Sequence, residues 1–276
     1  MSVGVPPSAA PAGTLKAALG VRDVLFITLD ALRHDVAVEA LELGLTPTLA
    51  ALLPPGGWEE RHSPGSFTYA AHHAFFAGFL PTPVAPGVHR RALALRFPGS
   101  ESSGPDTLVF DAPSIVEGFA QAGYHTCCIG GTGFFDRRTA LGKVLPGLFA
   151  EAHWSPALGV GEPRSTANQV ALACARIAAL PAGRRLFLFI NVSATHRPTF
   201  PYVPGAREES HATQRAALAY VDRQLPPLLA ALRARGGCHA LICSDHGTCF
   251  GDDGRHGHRQ AHPAVWTVPY AAMDIA

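Results

Sequence analysis

The chain has 276 residues, and its 22 basic and 21 acidic side chains give a net charge of +1, which excludes an electrostatic commitment to nucleic acid or an anionic membrane. An apolar fraction of 47% supports a sizeable core, while the longest apolar runs fall far short of the roughly 20 residues that span a bilayer, so no membrane anchor is expected. The six cysteines form no CxxC pair and read as buried free thiols, and the Pro/Gly-rich start MSVGVPPSAAPAG lacks the apolar heart of an export signal, so the expected location is the cytoplasm.

Residues 1–20 are rich in Pro, Ala and Gly and read as a loose lead-in, with one helical turn at Leu15 to Leu19. Residues 21–276 read as a single domain. Its first strand, Asp23 to Asp30 (DVLFITLD), is a continuous apolar run ending in an acid. Asp30 either N-caps a following helix or faces a ligand at the strand exit. A helix opens at Thr46-Pro47 with Leu49, Leu52 and Leu53 on one face, and Trp58 to Ser63 suits a short strand. From Tyr69 to Gly78 the residues suit a helix that starts beside Thr68 and stops at glycine. Thr68 therefore serves as a plain N-cap, or offers a hydroxyl where helix N–H groups attract an anion.

Thr82 to Asp106, rich in Pro, Gly and Ser, reads as a long surface excursion suited to a lid. A helix from Ile115 to Ala122 and a strand from Tyr124 to Ile129 follow, with Cys127 and Cys128 pointing to opposite faces as packing residues. Phe134 to Trp154 has no clear period. Val170, Ala173, Cys174 and Ile177 define a helix starting near Ser165 and ending before Pro181. The strand Leu186 to Val192 delivers His196 and Arg197 at its exit. The next helix runs from about Glu209, with Pro226-Pro227 expected to kink or restart it. The last strand read from the pattern, Ala240 to Cys243, ends in Asp245-His246 and a glycine-rich loop holding His256, His258 and His262. Strand alternating with helix predicts an α/β fold: a mainly parallel central sheet with helices on both faces.

A parallel sheet brings strand exits to one edge, so Asp30, Thr68, His196 and Asp245-His246 are expected to meet there. Two carboxylates, an imidazole and a hydroxyl form a donor set that zinc or manganese accepts. The pieces VLFITLDALRHD, SFTYAAHHAFFAGFLP, LFLFINVSATHRP and SDHGTCFGDDGRHGH resemble the alkaline phosphatase and sulfatase superfamily, in its sulfatase-like, phosphoethanolamine-transferase-like branch, here as a short bacterial type. The resemblance implies a metal held by Asp30, Thr68, Asp245 and His246, with at least one divalent ion (Zn or Mn) per chain. It further implies Thr68 as nucleophile, catalytic and substrate contacts from His196 and His258, and further substrate contacts from Arg197 and His256, with His262 a weaker partner in the same loop.

The implied activity is metal-dependent hydrolysis or transfer of phosphate esters, on a phosphodiester or phosphonate ester, through a phosphothreonine. The expected partner is a small anionic ester. The alternatives are a sulfate-ester hydrolase that works without formylglycine and a non-catalytic metal-binding or partner-binding protein on the same fold. Departures from the family pattern bear on these. Tyr69-Ala70-Ala71-His72 replaces the motif that supports conversion of cysteine to formylglycine, and Gly130-Gly131-Thr132-Gly133-Phe134 lacks the sulfatase lysine and histidine. Val192 replaces an aspartate of two-metal relatives, so a second ion would need Asp252 or Asp253.

Overall fold

The computed structural model describes residues 15–78, 93–95, 108–110 and 114–276. The strands are β1 (Asp23–Leu29), β2 (Glu59–His62), β3 (Leu93–Leu95), β4 (Leu108–Phe110), β5 (His125–Ile129), β6 (Glu151–His153), β7 (Leu186–Val192), β8 (Cys238–Ser244), β9 (Cys249–Phe250), β10 (His256–Gly257) and β11 (Thr267–Ile275). The helices are α1 (Leu15–Ala18), α2 (His34–Glu42), α3 (Pro47–Ala50), α4 (Thr68–Ala77), α5 (Ile115–Gln121), α6 (Ser165–Ala179), α7 (His211–Ala234) and α8 (Pro263–Trp266).

Seven strands form one sheet in the order β2-β11-β8-β1-β7-β5-β6. The five from β8 to β6 run parallel, and β11 and β2 close one edge antiparallel. The mainly parallel α/β architecture expected from the alternating pattern is therefore present. Period-two alternation along β1 sorts the core into two layers: Leu25, Ile27 and Leu29 join the layer containing residues of α2, α6 and α7, while Val24 and Phe26 join that of α4 and α5. Cys127 and Cys128 divide between the same two layers.

Several local expectations change. Pro226 and Pro227 lie inside α7, which runs unbroken from His211 to Ala234. The two prolines remove the donors for the carbonyls of Asp222 and Arg223, but Leu225, Leu228, Leu229 and Leu232 bury themselves against the sheet and hold the helix together. The Asp222 carboxylate accepts from Thr48 N and Leu49 N at 3.1 and 2.7 Å, so α7 caps α3 from outside. That helix is only four residues long, shorter than its leucine spacing predicts. The irregular stretch after β5 holds short 3-10 turns and β6. The excursion read at Thr82 to Asp106 lies outside the described residues except for β3. The C-terminal strand β11 was not anticipated, because Pro269 interrupts its pattern; here it pairs opposite Glu60 on the edge strand β2.

Candidate active site

The strands carrying the predicted acids are neighbours, with β1 between β7 and β8. Leu29 is level with both Val192 and Ser244, so Asp30 and Asp245 leave the sheet at the same height. Neither Asp30 nor Thr68 is an N-cap. Helix α2 is preceded by Arg33, and α4 is capped by Phe67, with Thr68 as its first helical residue. Asp30, Thr68, Asp245 and His246 are all buried.

Their mutual distances are those of a metal's ligands. Thr68 Oγ1 lies 3.3 Å from Asp30 Oδ2 and 3.4 Å from His246 Nε2. His246 Nε2 lies 3.8 Å from Asp30 Oδ1 and 3.7 Å from Asp245 Oδ2. Ligands bound tetrahedrally to one ion at about 2.1 Å stand about 3.4 Å apart. Asp30 Oδ1 and Asp245 Oδ2 are buried with no hydrogen-bond partner, and no lysine or arginine pairs with either carboxylate among the described residues. Burial first, then the Asp245 charge, pushes Asp30 up to about 6, and burial pushes Asp245 up to about 7. Two buried acids without a counter-charge are costly. A divalent cation bound by these four side chains removes that cost, and the donor set fits it.

The surrounding bonds orient each ligand. His246 Nδ1 lies 2.8 Å from Gly247 O; a carbonyl only accepts, so the proton sits on Nδ1 and the Nε2 lone pair faces the cluster. Asp245 Oδ1 accepts from Ala31 N and His246 N at 3.0 and 2.9 Å. The Ala31 donor is aimed by a left-handed backbone, φ 60, a conformation that non-glycine residues keep only where the surroundings enforce it. Gln214 Nε2 donates to Ala31 O and Thr195 O, tying the exits of β1 and β7 together from α7. Gly247 has no alternative residue, since an added Cβ would lie 2.1 Å from Ala264 O.

Two buried residues of this shell escaped the sequence reading. Asn191 Nδ2 donates to Asp30 Oδ2 at 3.0 Å, and its Oδ1 accepts from Gly131 N. His72 donates from Nδ1 to Thr68 O at 2.7 Å, and its Nε2 pairs with Thr28 Oγ1 at 2.9 Å. With both ring nitrogens engaged and burial pushing its pKa down to about 3, His72 is a neutral prop beneath Thr68. The signal for Asn191 was available, as the one polar residue inside the buried run LFLFINV. His72 reads in the sequence only as part of the segment that departs from the formylglycine motif, not as a support for Thr68.

The remaining predicted residues separate. His258 packs on His246 with ring centres 4.5 Å apart, and His196 lies 5.5 Å from His258. Burial first, then His246, His196, Arg197 and Arg259, push His258 down to about 3. Arg197 reaches over Gly257 beside them. His256 is exposed on β10 and has no contact with this cluster among those the structure records. His262 caps α8 through Ala264 N and faces Asp253 at 3.2 Å. Asp252 is clamped by Arg33 Nη1 at 2.9 and 2.7 Å, and Val192 lies in the apolar core, so neither provides a second ion's ligand. At Gly131, where the sulfatase pattern has lysine, a Cβ would lie 2.3 Å from Asn191 O.

No protein-family model matches the sequence, and no curated protein matches it. Solved structures do. The soluble domain of lipooligosaccharide phosphoethanolamine transferase A from Neisseria meningitidis aligns with a TM-score of 0.63 at 14% identity, over 92% of this chain and 76% of that one. The likeness is one of fold, a fold also found in the alkaline phosphatase superfamily. The C-terminal periplasmic domain of EcEptC from Escherichia coli, solved as a complex with Zn, aligns with a TM-score of 0.62 at 16% identity, over 91% and 72% of the two chains. Lipoteichoic acid synthase LtaP from Listeria monocytogenes gives 0.59 at 13% identity, over 93% and 66%. No helix among the described residues is long and apolar enough to cross a membrane.

Proposed function

We propose that this chain is a metal-dependent enzyme of phosphate esters, a hydrolase or transferase that attacks a phosphodiester or phosphonate ester with Thr68. The observation that carries this reading is Thr68 Oγ1, set at the head of α4 and within 3.4 Å of both Asp30 and His246. A divalent ion, zinc or manganese, would be held by Asp30, Thr68, Asp245 and His246, and would supply the positive charge that lowers a hydroxyl pKa and neutralises phosphoryl oxygens. The N-terminus of α4 adds its N–H groups and dipole to the same charge.

Thr68 gives up its hydroxyl proton to water, and its Oγ forms the new bond to phosphorus as the bond to the leaving oxygen breaks. His196, half-buried at the mouth with Nδ1 bonded to Arg197 O, gives the departing oxygen its proton from the other nitrogen. His258, deeper and stacked on His246, hydrogen-bonds a non-bridging oxygen. Water or an acceptor alcohol then releases the phosphoryl group from Thr68. Asn191 and His72 hold Asp30 and the first turn of α4 throughout. The missing lysine at Gly131 speaks against a sulfate ester. A reducing compartment is the setting we favour, since all six cysteines are free and five of them buried.

The test is to incubate metal-reconstituted protein with aryl phosphodiester, phosphomonoester and sulfate ester, quench in acid and look by mass spectrometry for a phosphorylated peptide containing Thr68. Turnover of the phosphodiester with a phosphopeptide at Thr68 is expected. Turnover with no label in wild type and undiminished rate in Thr68→Ala would move the attack to water.

A further inference from the structure

Arg259 stands at the rim of this site in an unusual conformation. Its φ is 67, in the left-handed region, which side chains other than glycine rarely adopt. Its N–H donates to Ser66 O at 2.8 Å, and its guanidinium carbon lies 4.9 Å from the ring centre of Phe67 and 6.0 Å from that of Phe134. Phe67 is the residue before the nucleophile. Both rings lie within cation–π range of the guanidinium, and a guanidinium carries planar donors that match an oxyanion.

Neither Arg259 nor Arg197 has a carboxylate partner among the described residues, and both are exposed. The carboxylates at this site, Asp30 and Asp245, are buried on the floor with Thr68. The site is thus layered by depth, with the reacting atom's ligands below and unmatched positive charge above. A phosphoryl group attacked by Thr68 occupies the floor, so what reaches the rim is the substituent it carries.

We propose that Arg259, together with Arg197, forms a second oxyanion subsite, and that the preferred substrate is a phosphate ester whose non-reacting part carries another anionic group. This rests on the phosphoryl-transfer reading for its orientation, but the subsite itself is testable by binding alone. The bond made and the bond broken are those already described, and the second oxyanion stays intact.

The experiment uses the full metal-loaded chain and three p-nitrophenyl diesters that share one leaving group and differ in the other arm: ethyl, carboxyethyl and phosphoethyl. Either acidic arm should exceed the ethyl arm by about tenfold in kcat/KM, through KM, and the advantage should shrink at high salt. The stronger of the two identifies the oxyanion. In Arg259→Gly the ratio should fall to near one, and in Arg259→Lys it should be partly kept. Glycine relaxes the left-handed position, so this variant should fold with an unchanged or higher Tm. A ratio equal in wild type and Arg259→Gly overturns the subsite, as does a lower Tm with selectivity intact, which makes Arg259 a packing residue. Calorimetric titration with phosphonopropionate against ethylphosphonate gives the second readout. If no ester is turned over but phosphonopropionate binds about tenfold tighter and loses that edge in Arg259→Gly, the turnover reading fails and the subsite stands. Equal binding of both phosphonates removes the subsite whatever the turnover.

Discussion

Among the described residues, two clusters bring three potential metal ligands within 4.8 Å of one another: Asp30, Asp245 and His246 at the sheet edge, and Cys127, Glu151 and His153 across β5 and β6. Proximity is the same in both, but their electrostatics differ. Glu151 receives His125 Nε2 and His153 Nε2, each at 2.7 Å, and pairs with Arg176 at 2.5 Å. Burial works to raise its pKa, yet those hydrogen bonds and the Arg176 charge hold the carboxyl below its usual range. Burial, and then the Glu151 charge, push the Cys127 thiol up to about 12. That cluster is already neutralised by the protein. The Asp30 cluster has two carboxylate oxygens without a hydrogen-bond partner, acids pushed upward and, among the described residues, no lysine or arginine paired with them. What singles out the Asp30 cluster as the candidate metal centre is the charge left unsatisfied.

The largest effect that could break this comparison is loss of the metal. Asp245→Asn should bring bound metal from about one equivalent to near zero and turnover to background, measured by elemental analysis on the same sample. Its amide keeps the acceptor for Ala31 N and His246 N while removing one buried charge, so the metal-free variant should melt at a higher temperature than metal-free wild type. Equimolar metal in Asp245→Asn would invert the assignment, and so would loss of metal in Cys127→Ser.

Next in size is Thr68→Ala. Removing the proposed nucleophile should cost on the order of 10⁴-fold in kcat, while Asp30, Asp245 and His246 retain metal. Thr68→Ser should recover part of the rate. A Thr68→Ala protein that is as depleted of metal as Asp245→Asn would make the hydroxyl a ligand first and a nucleophile second.

The two histidines sharpen the division between floor and rim. His196→Ala should lose roughly 10²–10⁴-fold on an alkyl leaving group and far less on nitrophenol, which departs without a proton. His258→Ala should lose similar factors on both, because it contacts the phosphoryl group. Matching profiles for the two variants would mean that neither histidine is the specific proton donor.

The smallest effect concerns the neutralised cluster. Glu151→Gln should leave metal content and turnover unchanged and lower stability by about 1 kcal/mol or less, as partly exposed ion pairs do. Because the folded carboxyl sits below its unfolded value, its contribution is present at neutral pH and fades as pH falls through the acidic carboxylate range. Denaturant titrations of wild type and Glu151→Gln should therefore differ at pH 7 and converge in strong acid; a difference that grows with acid contradicts the ion-pair account.

Much of this was legible before any tertiary contact was known. Continuous apolar runs such as DVLFITLD and LFLFINV, short and rich in β-branched and aromatic residues, suit strands buried on both faces, the pattern of a parallel sheet between helix layers. An acid or histidine placed just after such a run must lie at the sheet's carboxyl edge, so Asp30, Asp245, His246 and His196 could be brought together from local pattern alone. Gly78 stopping α4 and the capping box at Ser114 are likewise decided within a few residues.

Other features depended on partners distant in the chain. Whether Pro226-Pro227 breaks α7 turns on burial of leucines against the sheet, an energy that no helix propensity contains. Asn191 and His72 become part of the site only because β7 lies beside β1 and α4 crosses Thr28. Asp252 was an available acid by composition, and it is Arg33, 219 residues away in sequence, that takes it out of contention. Arg259 drew no reading from the sequence, and only the fold sets its guanidinium beside Phe67 and Phe134. The sequence by itself determined which backbone segments are buried and where polar groups leave them, because desolvation acts residue by residue. Only the tertiary structure decided which of those polar groups are neutralised by one another and which are left free for a metal or an anion, because electrostatic pairing acts through space.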